Sequence, residues 1–235
     1  MNPFAFVVGG VLPYLTVLLF VGGMAYRFWT WFKTPQPGKM SLFYVKDKST
    51  VKGVLEDVLF FPGLFKGDRM LWSFAWIFHA TLALVILGHI RVFTGLADVI
   101  LMKLGMSTEG IDQMSATAGG AAGIVLMVTG ALLLIRRFVI PRVREISRSP
   151  DVVALLLLLA IVVTGNFMRF GAEHFDLAQT RLWAASLLTF APVIPASNMF
   201  LVHALFAQLL IMFIPFSKVM HFGGIFFTQA LVKAR

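Results

Sequence analysis

The chain has 235 residues, of which 59% are hydrophobic and only 13% charged, with a mean hydropathy of +0.87, a balance that excludes an ordinary soluble domain. Its net charge of +9 would suit nucleic acid, but a bilayer protein gathers such charge on a rim that faces anionic lipid and soluble partners, so nucleic-acid binding is set aside. The absence of cysteine excludes thiolate-ligated zinc, a cysteine-held iron–sulfur cluster and a disulfide within the chain.

Apolar stretches long enough to cross about 30 Å of hydrocarbon, roughly 20 residues each, run over residues 4–28, 71–93, 117–135, 152–168 and 199–216. The expected architecture is an all-α integral membrane protein, a bundle of five transmembrane helices in one domain over residues 1–235. No basic segment precedes the first stretch and no small-residue cleavage site follows it, so it is expected to stay as a helix rather than act as a signal peptide. Between the first two stretches, residues 34–70 are interrupted by Pro35, Pro37 and Pro62. They nevertheless contain an amphipathic run over 51–61, with Val54, Leu55, Val58, Leu59 and Phe61 apolar and Lys52, Glu56 and Asp57 polar. That pattern suits a short interfacial helix, as a docking platform for a soluble partner or as a connector resting on headgroups.

The third stretch opens with Ala118-Gly119-Gly120-Ala121-Ala122-Gly123, a small-residue face that another helix or a flat cofactor can approach closely. The fifth contains Pro215, which removes a backbone hydrogen bond and is expected to kink the helix. None of the five stretches contains Asp or Glu.

Lys and Arg mark the orientation, because cytoplasmic flanks retain positive charge. Sixteen of the twenty fall in 27–69, in the 136–148 turn and in the C-terminal tail, against Arg91, Lys103, Arg169 and Arg181 on the other side. The N-terminus is therefore expected outside and the C-terminus in the cytoplasm, in a multi-pass protein of the cytoplasmic membrane.

Four of the five histidines lie in or at the ends of two stretches, His79 and His89 on the second, His203 and His221 on the fifth. An ionisable side chain in hydrocarbon is costly and normally has a partner or a function, and neutral imidazole is a haem ligand. Ten residues separate the first pair, about 15 Å along a helix, and eighteen the second, about 27 Å. Five helical turns put His203 and His221 on one side of their helix, whereas His79 and His89 differ by about 80°. The two helices run antiparallel, so His89 pairs with His203 toward the outer face and His79 with His221 toward the cytoplasm. Tilt, the kink at Pro215 and the width of a haem have to absorb the unequal spacings. His174, in the outer loop, reads as a solvated residue or as a proton-release or quinone contact.

Phe78-His79 with Gly88-His89, the small-residue run leading to Arg136-Arg137 and Pro141-Arg142-Val143-Arg144, and His203 with Pro215-Phe216-Ser217-Lys218-Val219-Met220-His221 together resemble the gamma, cytochrome b subunit of respiratory nitrate reductase and its relatives. The resemblance covers residues 71–222 and implies two b haems, axially ligated by His89 with His203 and by His79 with His221. It further implies quinol (menaquinol or ubiquinol) oxidised near the outer haem, and electrons passing inward to a cytoplasmic iron–sulfur subunit. Further membrane and periplasmic subunits would complete the complex. Arg137 and Arg136 match positions where a basic side chain meets an inner-haem propionate, although topogenic charge alone would also place them there.

Two departures stand out. A lysine that assists quinol binding in the nitrate reductase subunit is replaced by Ile111, Asp112 and Gln113, which leaves Gly88, Arg91, Asp112 and Gln113 as the quinone-site candidates. The segment from Arg27 to His79 is also much longer, and in this it is more similar to the branch found with sulfite-reductase-linked and heterodisulfide-reductase-like complexes. Beside that sulfur-metabolism reading stand a nitrate reductase gamma subunit, a proton-translocating transporter or channel with buried histidines, and a structural anchor for a soluble enzyme.

Overall fold

The first span departs from regular α-helix where Pro13 follows Gly9 by four positions, because the proline ring has no N–H to give and crowds that carbonyl. The structure, a computed structural model, describes residues 2–34, 50–171 and 176–224. In it α1 (Pro3–Phe6) passes through a π turn (Val7–Val11) into α2 (Leu12–Lys33), a single span over Pro3–Lys33. The widened turn turns carbonyls outward. Gly9 O accepts from the Trp183 indole at 2.7 Å and Val8 O from the Gln208 amide at 3.1 Å.

The amphipathic run forms α3 (Thr50–Phe60), followed by α4 (Pro62–Gly67) and the second span α5 (Arg69–Phe93). Phe61, between α3 and α4, is left-handed at φ 49°. The Trp72 and Trp76 indoles donate to Phe60 O at 2.7 Å and Leu59 O at 2.8 Å, satisfying last-turn carbonyls of α3. The interfacial segment is thus fastened to α5, which starts where Asp68 Oδ1 accepts the Leu71 N–H. Residues 35–49, in the middle of the expected 34–70 loop, lie outside the described residues.

The segments expected as outer loops are largely helical. Residues 91–115 include the end of α5, α6 (Leu96–Lys103), a glycine turn at Gly105 (φ 93°) and the start of the third span, α7 (Thr108–Val139), capped by Ser107. Hydropathy places the start of α7 too late, because its first turns carry Glu109, Asp112 and Gln113. After α8 (Pro141–Ile146) comes the fourth span, α9 (Ser149–Phe170), then α10 (Leu177–Leu188) and the fifth span, α11 (Asn198–Phe213). The expectation that the spans lack carboxylates needs correction: Asp151 sits in the first turn of α9 and is buried. Pro215 also does more than kink its helix. α11 ends at Phe213, two 3-10 turns follow (Ile214–Phe216 and Lys218–Met220), and Ser217 between them is extended. The azimuth and rise of a continuous α-helix therefore do not apply between His203 and His221.

Among the described residues, five helices are long and apolar enough to cross a membrane. The chain packs them in sequence, α5 on α7, α7 on α9, α9 on α11, with α2 against the outer side of α11. Large apolar side chains such as Leu18, Leu87 and Phe167 point outward, as a lipid-facing surface allows. The small-residue face of α7 is used for helix packing: a Cβ on Gly120 would meet the Phe170 ring and one on Gly123 the Asn166 side chain, both on α9. Phe78, Leu126 and Val162 join α5, α7 and α9 in one apolar cluster, and Val8, Met168, Phe200, Leu201 and Ala204 join α9 and α11 to the π turn in another.

Candidate functional site

The packing order leaves α5 and α11 at the two open edges of α7 and α9, and their histidines bridge the gap. His89 and His203 stand opposite each other, with ring centroids 6.2 Å apart and planes 11° from parallel. His79 and His221 stand 6.0 Å apart with planes at 88°. The structure brings together the same residues that antiparallel helices pair on paper.

Each imidazole spends Nδ1 on an oxygen. His79 Nδ1 lies 2.7 Å from Ala75 O and His89 Nδ1 2.7 Å from Val85 O, both one turn back on α5. His221 Nδ1 lies 3.0 Å from Lys218 O. A carbonyl only accepts, so in these three rings Nδ1 carries the proton and donates. His203 Nδ1 faces the Thr164 hydroxyl at 3.0 Å. That hydroxyl already donates toward Ala160 O at 2.8 Å and Ile161 O at 2.9 Å, so its oxygen accepts from His203 as well. All four rings hold the tautomer that keeps the Nε2 lone pair for a metal.

Neighbours shape each pair. Gly165 makes room for His203, because a Cβ there would lie 3.3 Å from Cε1. Phe61 and Phe78 meet His79 edge-on, at 5.2 and 5.3 Å. Thr164 and Gly165 escape sequence reasoning, since a threonine and a glycine in an apolar helix carry no signal of a partner on another helix. Thr164→Val keeps shape and removes the acceptor; if the His203 pair holds a metal cofactor, as proposed below, its retention on dilution should fall about tenfold to hundredfold.

The quinone-site candidates lie around the end of α5 past His89. Arg91 Nε holds Asp98 Oδ1 at 2.6 Å and Arg91 Nη2 holds Asp112 Oδ1 at 2.8 Å. Arg181 Nη2 reaches the other oxygen of Asp98 at 2.8 Å, and its Nε donates to Arg91 O at 2.8 Å. The Arg91 bond first, aided by Arg181, holds the Asp98 carboxyl below its usual range against the opposing effect of burial. Arg91 and Asp112 are therefore paired with each other, Gln113 is exposed, Ile111 is buried, and space is open around Gly88.

At the other end Arg136 Nη2 pairs with Asp68 at 3.1 Å. Arg137 Nη1 contacts Ser147 Oγ at 3.1 Å and lies 3.8 Å from Asp151. A guanidinium has five N–H donors, so both retain capacity beyond these partners. His174 falls outside the described residues.

The nitrate reductase gamma subunit family matches residues 63–231. The Hdr-like menaquinol oxidoreductase cytochrome b-like subunit of Archaeoglobus fulgidus is 30% identical over 94% of this chain and 77% of its own length. The respiratory nitrate reductase 1 gamma chain of Escherichia coli is 28% identical over 63% of this chain and 69% of its own. For the nitrate reductase gamma chain of Bacillus subtilis the figures are 25%, 90% and 88%.

Proposed function

Because this chain belongs to the nitrate reductase gamma subunit family, we propose that it is the membrane-embedded dihaem b cytochrome of an oxidoreductase complex, exchanging electrons between the quinone pool and a cytoplasmic iron–sulfur subunit. The observation that carries this reading is the donor set: two opposed imidazole pairs, each ring held with Nδ1 as donor and Nε2 left over. Metal–imidazole bonds of about 2 Å on both sides of one iron put opposed ring centroids about 6 Å apart. The pairs stand at 6.2 and 6.0 Å, so the residues fit the group.

His89 and His203 would hold one haem b and His79 and His221 the other, each supplying a centre that takes up and returns a single electron. The positive-inside distribution supports an outer position for the first pair and a cytoplasmic one for the second, with the N-terminus outside. Arg136 and Arg137 then lie at the cytoplasmic rim, where a guanidinium pairs a propionate carboxylate. Asp98 beside the spans, Asp112 in α7 and Asp151 in α9 are ion-paired, which favours a held scaffold over a proton relay through the histidines.

The identity to a menaquinol oxidoreductase subunit is 30% over 94% of the chain, against 25% over 90% for the B. subtilis nitrate reductase gamma chain and 28% over 63% for that of E. coli. We therefore assign the heterodisulfide-reductase-like, sulfur-metabolism branch, in the cytoplasmic membrane, with menaquinol as the reductant, and place its site beside Gly88, Arg91, Asp112 and Gln113. Arg91 and Asp112 would orient the quinol through polar groups turned from each other, and Gly88 would admit its ring. Menaquinol added anaerobically to the chain in vesicles should develop reduced b-type absorbance within the mixing time of the assay. Absorbance that responds to dithionite and never to menaquinol would sink the quinol coupling.

A further inference from the structure

Asp151 has no part in ligating either pair, yet it is the carboxylate most completely withdrawn from solvent, its side chain 3% exposed in the first turn of α9. A buried carboxylate is tolerated only where charge and hydrogen bonds meet it. Asp151 Oδ2 is met by Lys218 Nζ at 2.7 Å, by the Arg148 N–H at 3.1 Å and by Arg137 Nη1 at 3.8 Å. The lysine comes from the opposite direction, with a side chain 67% exposed that would otherwise extend into solvent.

Lys218 opens the short 3-10 turn that ends at Met220, and its carbonyl oxygen is the acceptor for His221 Nδ1 at 3.0 Å. Within the turn the Met220 side chain is buried, and the His221 backbone N–H also donates to Lys218 O. The turn follows the extended Ser217, whose hydroxyl caps it from Val219 N at 3.2 Å, and α11 itself has ended at Phe213. Upstream, Arg27 Nε anchors Pro215 O at 2.8 Å, three residues before Lys218. His79, by contrast, sits mid-helix on α5 with its acceptor fixed by the helix. His221 is the one member of the four whose Nδ1 acceptor belongs to a 3-10 turn, and Asp151 grips that turn by its first residue.

We propose that Asp151 is the positioning residue of the His221 site: through the Lys218 ion pair it fixes the carbonyl that sets the tautomer and plane of His221. The inference rests on the haem reading above and extends it to a group on a third helix. The 88° between the planes of His79 and His221 is the product of this grip, and the parallel His89 and His203 planes have no such dependence. Mutually perpendicular and parallel imidazole planes give different low-spin ferric haem signals, so the two sites can be read separately in one sample.

The test uses the full chain in membranes, with electron paramagnetic resonance of the oxidised haems and a redox titration of each. Asp151→Asn should shift or split the perpendicular-type signal, move the midpoint potential of that haem and lower its occupancy roughly tenfold, while the parallel-type signal stays as in the wild type. Lys218→Met, which removes the exposed half of the pair and leaves Asp151 to the Arg148 N–H and Arg137, should reproduce the shift, and Asp151→Glu should keep the wild-type signal. Both signals and both potentials unchanged in Asp151→Asn and Lys218→Met would overturn the assignment with the haem reading standing. Should Asp151→Asn fail to accumulate, Lys218→Met alone decides. A wild-type chain without haem would overturn both.

Discussion

On the proposed dihaem reading, His203→Ala should leave the chain with one b-type haem in place of two, the survivor being the one that His79 and His221 would hold. The expectation follows from where the four donors stand. His203 faces only His89, across 6.2 Å, and His79 faces only His221, so losing one imidazole removes half the axial set of one site and none of the other. Alanine also leaves a void beside Gly165, which cannot fill it, and leaves the Thr164 hydroxyl oxygen without its donor. His89→Ala should give the same product, and the double variant should cost no more haem than either single one. Haem content per chain and reduction by menaquinol are the readouts: about half the haem remains, and quinol no longer reduces it because the missing site is the one on the quinol side. Retention of both haems in His203→Ala, or loss of both with the fold intact, would break the pairing.

The second large effect belongs to Asp98. This carboxylate, 17% exposed, is held by two arginines that tie the end of α5 to α6 and α10, while Arg91 adds Asp112 at the start of α7. Asp98→Ala leaves Arg181 without its carboxylate and Arg91 with Asp112 alone. We expect a loss of about 2 kcal/mol, between an exposed and a buried pair because all three side chains are partly exposed. Thermal unfolding in detergent measures it. The pH dependence has a definite sign. The folded-state pKa lies below the usual 3.8, so the ion pairs contribute fully above that value and the contribution disappears as pH falls through the lower folded-state pKa. The variant and the wild type should therefore differ throughout the neutral and mildly acidic range and converge only in stronger acid. A gap that closes as the solution is taken from neutral to mildly acidic would mean that another group carries the stability.

Much of this was readable in the residues. The five apolar stretches are helices, and the histidine pairing follows from antiparallel spans because both members of each pair sit at matching ends. The failures share a cause: hydropathy marks where hydrocarbon begins, and helices do not stop there. α7 starts nine residues before its apolar stretch, at Thr108, because Ser107 caps it, and α9 starts three residues early, at Ser149, where Pro150 suits a first turn. Those extra turns carry Asp112 and Asp151, which is why the ion pairs at both ends of the bundle escaped notice. The short helices α6 and α10 are held by contacts between distant segments, such as Arg181 with Asp98, which no local pattern reveals. Thr164 is of the same kind, an ordinary helical threonine until His203 is brought beside it from α11.

Two haems of the b type between α5 and α11 are the core of the proposed function. Pyridine haemochrome analysis of the purified full chain, normalised to protein by amino-acid analysis, counts them. Protohaem is expected at two per chain, with reduced-minus-oxidised bands of the b type. One haem per chain would contradict the four-histidine assignment, and none would contradict the cytochrome reading altogether.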